Sequence, residues 1–335
     1  MKKFLTQHKK LILIFLFAYL YLFFILVFPT SFDGLTPDSL NKISSNIVIE
    51  DNSYKDNDNS FFSISVLSSS RITPLQKMIL DLKKDSTTNK RNDYVEDISS
   101  SDNLKMNQLS KEISFYNSTY NALYYASLVS SDITVSREFL GVRIYYRDSR
   151  FSNKLNVGSL VTQISAGEIS YDASLISSSS DIKSFISLFR EYKFNIVCDN
   201  KNIEIEYKKG DHYFQVEPYF NITSNIKFSY PGLKSNVGGP SGGLLQTLYL
   251  YSSLLKQDFS KYKISGTGTI SWDGSVGAIG GIEQKMYAAS YAGATHFFMP
   301  NSNYSTSLDK IPHNYAVYKV SNFSEALGYL DGINI

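Results

Sequence analysis

Cysteine occurs once in 335 residues, at position 198. A lone thiol excludes an intramolecular disulfide and leaves no partner for a thiolate metal site. Histidine is nearly as scarce, and His8, His212, His296 and His313 are scattered rather than spaced as ligands. No metal and no cofactor is expected. Neither sign of charge dominates: 33 basic residues stand against 31 acidic ones, a net charge of +2. A surface so balanced argues against nucleic acid as a partner. No glycine-rich loop ends in Gly-Lys-Ser/Thr, the arrangement that cradles nucleotide phosphates, so ATP-driven work is not expected. What remains is globular composition, 43% hydrophobic, long enough for two compact domains.

Charge is also missing from one long run. After Lys2, Lys3, Lys9 and Lys10, the stretch LILIFLFAYLYLFFILVF (11–28) carries none. Eighteen residues at 1.5 Å each fall just short of the roughly 20 that cross a bilayer. The run is long for a signal-peptide core, and no small-x-small cleavage site follows in PTSFDGL. Basic residues before it, with Asp33 and Asp38 after it, predict a single-pass anchor in the cell membrane. Its N-terminus would be cytoplasmic and everything past Pro29 extracytoplasmic. A cleaved secretion signal is the alternative.

Beyond the anchor, SFFSISVL (60–67) alternates as a strand does. The next segment predicts a helix: Thr73 can cap it, Pro74 occupies its first position, and Leu75, Met78, Ile79 and Leu82 share one face. Residues 85–103 are polar and aperiodic, which reads as a loop. A long helix follows with Leu109, Ile113, Tyr116, Tyr120 and Leu123 as its apolar stripe, expected in the core or along a groove wall. From Glu138 to Lys209 the texture becomes strand, strand, helix, strand, strand, which suits a small half-open barrel. Within it, LNVGSLVTQISAGEI (155–169) resembles the turn-strand-turn of a PDZ domain, with Ser159 in place of the usual acidic residue.

Around Ser241, in GGPSGG (238–243), side chains are stripped away and an apolar helix begins behind it with Leu244, Leu245 and Leu248. A turn needing glycine geometry is one explanation. The other is a nucleophile at a helix N-terminus, where unpaired N–H groups favour an oxyanion. Gly239, Gly242 and Gly243, with Ser241 itself, offer backbone amides; Pro240 has none to give. A serine needs a base. No histidine lies in a comparable motif, His296 in THFFMP falling in an apolar strand pattern, but Lys285 does: a glycine-rich turn and then a helix carry it. A free lysine titrates near 10.4, so such a base needs its pKa lowered by roughly three units, and burial supplies that. Helical lysines are more often solvated surface residues.

GGPSGG, ISGTGTISWDGSVGAIGGIEQKMYAA (264–289) and AGATHFFMP (292–300) together resemble the protease domain of Lon, in its membrane-anchored form without an ATPase. The resemblance covers about 218–335. It implies Ser241 as nucleophile and Lys285 as its base, with Thr267 helping to hold the lysine; Gly242 stands where alanine is commoner.

The expected protein is an α+β chain in five parts: a cytoplasmic tail (1–10), a transmembrane helix (11–29), a strand and helical region (30–137), a PDZ-like module (138–212) and a Lon-type protease domain (213–335). It would be an ATP-independent serine endopeptidase acting on unfolded or flexible polypeptides, held to the lipid bilayer by its N-terminal helix. Nothing in the sequence decides for or against a homo-oligomer. The alternative is a catalytically inactive, membrane-tethered peptide-binding module.

Overall fold

A computed structural model describes residues 8–51, 54, 57, 59–91, 98–206, 214–234, 239–307, 312 and 314–333. His212, His313 and Gly238 lie outside them.

Helix α1 (Lys9–Val27) is long and apolar enough to cross a membrane, and none of its side chains is buried against the rest of the chain. Strand β1 (Phe32–Lys42) follows almost directly, then the short β2 (Val48–Ile49) and β3 (Phe61–Ser69). Helix α2 (Pro74–Asp81) starts where the sequence predicts. Thr73 accepts from the Gln76 N–H, and the Gln76 side chain accepts from the Thr73 N–H. Its apolar stripe points away from the protein, however: Met78 is 56% exposed and Leu82 80%.

The polar stretch after it contains a strand the sequence did not announce. β4 (Thr87–Lys90) pairs antiparallel with β1. Its residues TTNK carry no apolar alternation because an edge strand at the surface buries little. Of that stretch, residues 92–97 lie outside the described ones, and α3 (Ser100–Ser127) begins with Ser99 as its cap.

Two six-stranded sheets hold most of the strands. One has the order β10-β5-β6-β8-β9, with β7 beside β6, drawing on β5 (Val135–Arg147), β6 (Leu160–Ala166), β7 (Ile169–Asp172), β8 (Lys193–Cys198), β9 (Lys201–Glu206) and β10 (Phe214–Ser224). Helix α4 (Ser179–Ser187) packs Ile182 and Phe185 into the core of this sheet, against Val142, Ile164 and Phe194. The β8–β9 hairpin turns on Asp199 and Asn200, both at positive φ (47° and 63°), the geometry that matches strand twist. Strand β10, beyond the boundary drawn at residue 212, belongs to this sheet through its long pairing with β5.

After the short β11 (Phe228–Ser229), which pairs with β2, come α5 (Gly243–Leu254), β12 (Ile264–Gly266), β13 (Thr269–Ile270), β14 (Val276–Gly277) and α6 (Ile282–Tyr291). The chain closes with β15 (His296–Pro300), α7 (Asn301–Ser307), β16 (Ala316–Val320) and α8 (Phe323–Ile333). The other six-stranded sheet has the order β16-β15-β12-β3-β1-β4, so strands from both ends of the chain share it. β12 lies parallel to both β3 and β15. Strand β15 is apolar on both faces, as a strand covered on both sides must be. Phe298 packs in the cluster around α5, while Phe297 and Met299 pack against Met286 and Ala289 of α6. Helices α5 and α6 therefore cover opposite faces of this sheet.

Helix α3 joins the halves, and its stripe divides between core and groove wall as expected. Leu109 and Leu123 are buried, and Tyr116 and Tyr120 are half-buried walls of clefts shared with Tyr219 and Phe220 of β10. The face turned to the protein interior carries Ser114, Phe115, Asn117, Ser118, Asn121 and Ala122. At the junction, the Arg137 guanidinium lies over Tyr120 (4.3 Å), Phe220 (4.6 Å) and Trp272 (5.2 Å) and donates to the Trp272 carbonyl.

Candidate active site

Ser241 sits in a 3-10 turn, Pro240–Gly242, that leads straight into α5. Gly239 before it has φ +121° with open space where a Cβ would be, so backbone conformation rather than room demands glycine there. The Ser241 carbonyl accepts from the Gly268 N–H (2.8 Å) and from the Thr267 hydroxyl (3.0 Å), which ties the loop to the end of β12.

Lys285 lies in the first turns of α6, behind Gly281, and is only 3% exposed. Its amine stands 2.7 Å from Ser241 Oγ and 3.0 Å from Thr267 Oγ1. Burial pushes the Lys285 pKa down to about 8, because the ammonium loses its water and gains no carboxylate in return. Ser241, Lys285 and Thr267, 44 and 18 residues from one another along the chain, thus meet at one point.

They can meet because β12 is short. It ends at Gly266, while its neighbour β3 runs on to Ser69. Just past Gly266 the Thr267 N–H still donates to the Phe298 carbonyl of β15 (2.9 Å), and beside Thr267 the lysine from the α6 face reaches the serine before α5.

A groove of about 480 Å³ opens over the pair. Ser241, Gly239 and Gly242 line it, with Asp38 and Asn41 of β1 opposite. Residues 63–67 of β3 form one wall, and all but Ser63 lie beyond the stretch that β12 covers. Gly243 departs from the expectation made for it. Its N–H is held by the Pro240 carbonyl, and a Cβ there would come within 2.8 Å of Ile270 Cγ2. It is a packing glycine beneath the loop, not a donor to the groove. Gly242 is different: a Cβ would meet only Gln246 Nε2 at 3.3 Å and Ser63 at 3.8 Å.

Sequence reasoning missed the support beneath the loop. Ser114 Oγ donates to the Pro240 carbonyl (3.1 Å) and Ser118 Oγ to the Gly243 carbonyl (3.0 Å). Asn117 and Asn121 donate to the carbonyls of Ile270 (3.2 Å) and Ser271 (3.0 Å). The signal was present: Ser114, Asn117, Ser118 and Asn121 recur at steps of three and four, a polar stripe at the helical period. Lys111, on the same helix, was also missed; it is buried in the groove wall, and burial lowers its pKa.

His296 does not join the site. It is on β15, stacked on Tyr318 and edge-on to Tyr262, with Nδ1 beside the Thr295 hydroxyl. Among the described residues no cluster of His, Cys, Asp and Glu could hold a metal ion.

Residues 203–327 match the profile of the Lon protease (S16) C-terminal proteolytic domain. The chain is 35% identical over 101 residues to the Lon protease of Clostridioides difficile, covering 30% of this chain and 13% of that protein. To the Lon protease of Buchnera aphidicola it is 26% identical over 200 residues, 57% of this chain and 25% of the relative. To that of Treponema pallidum it is 40% identical over 76 residues, 23% and 8% of the two. The chain thus spans a quarter or less of the length of these relatives. The resemblance drawn from the three motifs is borne out, and the similarity supports a serine protease.

Proposed function

We propose, from the premise of a Lon-type proteolytic domain, that this chain is a membrane-anchored serine endopeptidase whose nucleophile is Ser241 and whose base is Lys285. The observation that carries the reading is the 2.7 Å approach of Lys285 Nζ to Ser241 Oγ by an amine whose pKa burial brings down to about 8. In its ammonium form Lys285 donates to both Ser241 and Thr267. Once neutral, it offers a lone pair to the serine hydroxyl.

Ser241 Oγ then attacks the scissile carbonyl as its proton passes to Lys285, and the resulting ammonium protonates the departing amine. Water attacks the acyl-enzyme ester by the same route, with Lys285 again taking the proton. The Ser241 and Gly242 amides, at the N-terminal end of α5, are the candidates to receive the oxyanion. Thr267 positions the lysine. The free side of β3 gives an extended peptide backbone hydrogen-bonding groups along the groove.

Three further properties belong to this proposal. Cleavage proceeds without ATP, on unfolded or flexible segments. Helix α1 spans the membrane with its N-terminus in the cytoplasm and the groove outside. The sheet of β5 to β10, with α4, acts as a PDZ-like module that guides substrate chains.

The test is turnover of an unfolded polypeptide by the full chain without ATP, beside Ser241→Ala, Lys285→Met and His296→Ala. Cleavage is expected from the wild type and the histidine variant alone. Turnover that survives in Lys285→Met sinks the dyad. No cleavage by any of the four favours a membrane-tethered binding module.

A further inference from the structure

We infer that α2 lies on the bilayer surface, its outward apolar face sunk among the lipid headgroups beside the membrane helix. The inference rests on the reading of α1 as a membrane anchor.

Leu75, Met78, Ile79 and Leu82 share one face of α2, but the protein covers the other side. Inward contacts are made by Ile72 and Leu80, whose side chains crowd Gly34 of β1. The outward stripe is left to solvent, with Met78 56%, Ile79 45% and Leu82 80% exposed. An apolar cluster of this kind facing water marks an interaction surface.

The chain itself says what covers it. Three residues past the end of α1, the N–H and hydroxyl of Thr30 both donate to the Ile72 carbonyl (2.9 and 2.6 Å). The Ile72 N–H in turn donates to the Phe32 carbonyl (2.9 Å). These bonds fasten the residue before the α2 cap to the point where the chain leaves the anchor, and α1 and α2 are in contact. Lysines border the stripe: Lys83 and Lys84 are exposed just after the helix, while Lys77 on it is paired with Asp81. Apolar side chains flanked by amines, fixed at the exit of an apolar helix, match the layering of a bilayer surface. Eight residues make too small a membrane ligand alone. As a second contact beside an anchor they suffice.

The contact sets the substrate class. Strand β1 starts at Phe32, and Asp38 and Asn41 near its other end line the groove that holds Ser241. Nine residue steps at roughly 3.3 Å keep that groove within about 30 Å of the chain's exit from the bilayer. With α2 as a second point of attachment, β1 cannot swing about a single tether. The favoured substrates are therefore polypeptide segments that emerge from the same membrane and present the scissile bond at that height.

The experiment uses the full chain in vesicles of phosphatidylcholine and phosphatidylglycerol, in a Cys198→Ala background. An environment-sensitive fluorophore is placed at Phe24→Cys in α1, Ile79→Cys in α2, or Lys201→Cys on the far hairpin, and lipids brominated along the acyl chain act as quencher. Strong quenching at positions 24 and 79, with none at 201, is the expected result. Quenching at 24 without quenching at 79 overturns the placement of α2 and leaves the anchor standing. Absence at both overturns the anchor and this inference with it. In a second readout, the Met78→Glu/Ile79→Glu/Leu82→Glu variant should cleave a soluble peptide at the wild-type rate. It should lose several-fold on a substrate anchored in the same vesicle. Equal rates on the tethered substrate overturn the height restriction.

Discussion

Lys285 and Ser241 approach each other from opposite faces of one sheet, and their side chains meet at 2.7 Å. The lysine belongs to α6 and the serine to the turn before α5. They meet beside Thr267, just past the point where β12 ends at Gly266. The Lys285 side chain is only 3% exposed at the base of the groove, and its lowered pKa follows from that burial.

The first prediction concerns pH. Only neutral Lys285 can accept the serine proton, so kcat/KM should rise as pH increases through about 8 and level off above it. A profile flat from pH 6 to 9 would show that some other group limits the reaction.

Stability should move the other way from activity when the lysine is removed. The folded-state pKa lies below the unfolded value, so between about 8 and 10.5 the unfolded chain holds the extra proton and stability rises with pH. Below that window the buried ammonium carries its full cost, at most roughly 3 kcal/mol. Lys285→Met should therefore be inactive yet more resistant to urea at pH 7 than the wild type, with the gain shrinking toward pH 10. Equal denaturation midpoints at pH 7 would contradict the burial argument.

Thr267→Val keeps the shape and deletes the oxygen that accepts from the Lys285 ammonium. Turnover should fall by about one to two orders of magnitude from lost orientation. The midpoint of the pH profile should also shift downward, because a bond to the charged form is gone. A drop in turnover with an unmoved midpoint would mean that the threonine acts on the loop alone, through its bond to the Ser241 carbonyl.

Neighbouring glycines should respond differently. Gly242→Ala meets nothing tighter than the flexible end of Gln246 at 3.3 Å and should keep most of the activity. Gly243→Ala drives a Cβ to 2.8 Å from Ile270 Cγ2 and 3.1 Å from the Ile270 backbone nitrogen. It should destabilise the protein by about 1–3 kcal/mol and impair turnover, measured as urea midpoint and kcat on the same samples.

The polar face of α3 should prove structural for the site. Ser118→Ala leaves one fewer donor beneath the Gly243 carbonyl and Asn121→Ala one fewer at the Ser271 carbonyl, both buried. Each should cost on the order of 1–3 kcal/mol. Full stability in both variants would remove α3 as the support of the catalytic loop.

What the sequence by itself determined is what short-range chemistry encodes. The anchor-length apolar run is there, as are the Thr73–Gln76 cap, the glycine-cradled serine before an apolar helix, and the lysine behind a second glycine turn. Each depends on neighbours within a few positions, so each could be read without coordinates. Long-range placement could not. The strand β4 carries no pattern because it sits at a sheet edge, and the apolar stripe of α2 looks like a core face although it points outward. On α3 the buried side mixes apolar residues with Ser114, Asn117, Ser118 and Asn121, which satisfy carbonyls at Ile270 and Ser271 and around Ser241. Burial of Lys285 was likewise decided by tertiary structure alone. A lysine in a helix is ordinarily solvated, and the packing of α6 on the sheet beside Thr267 turns this one inward to the serine.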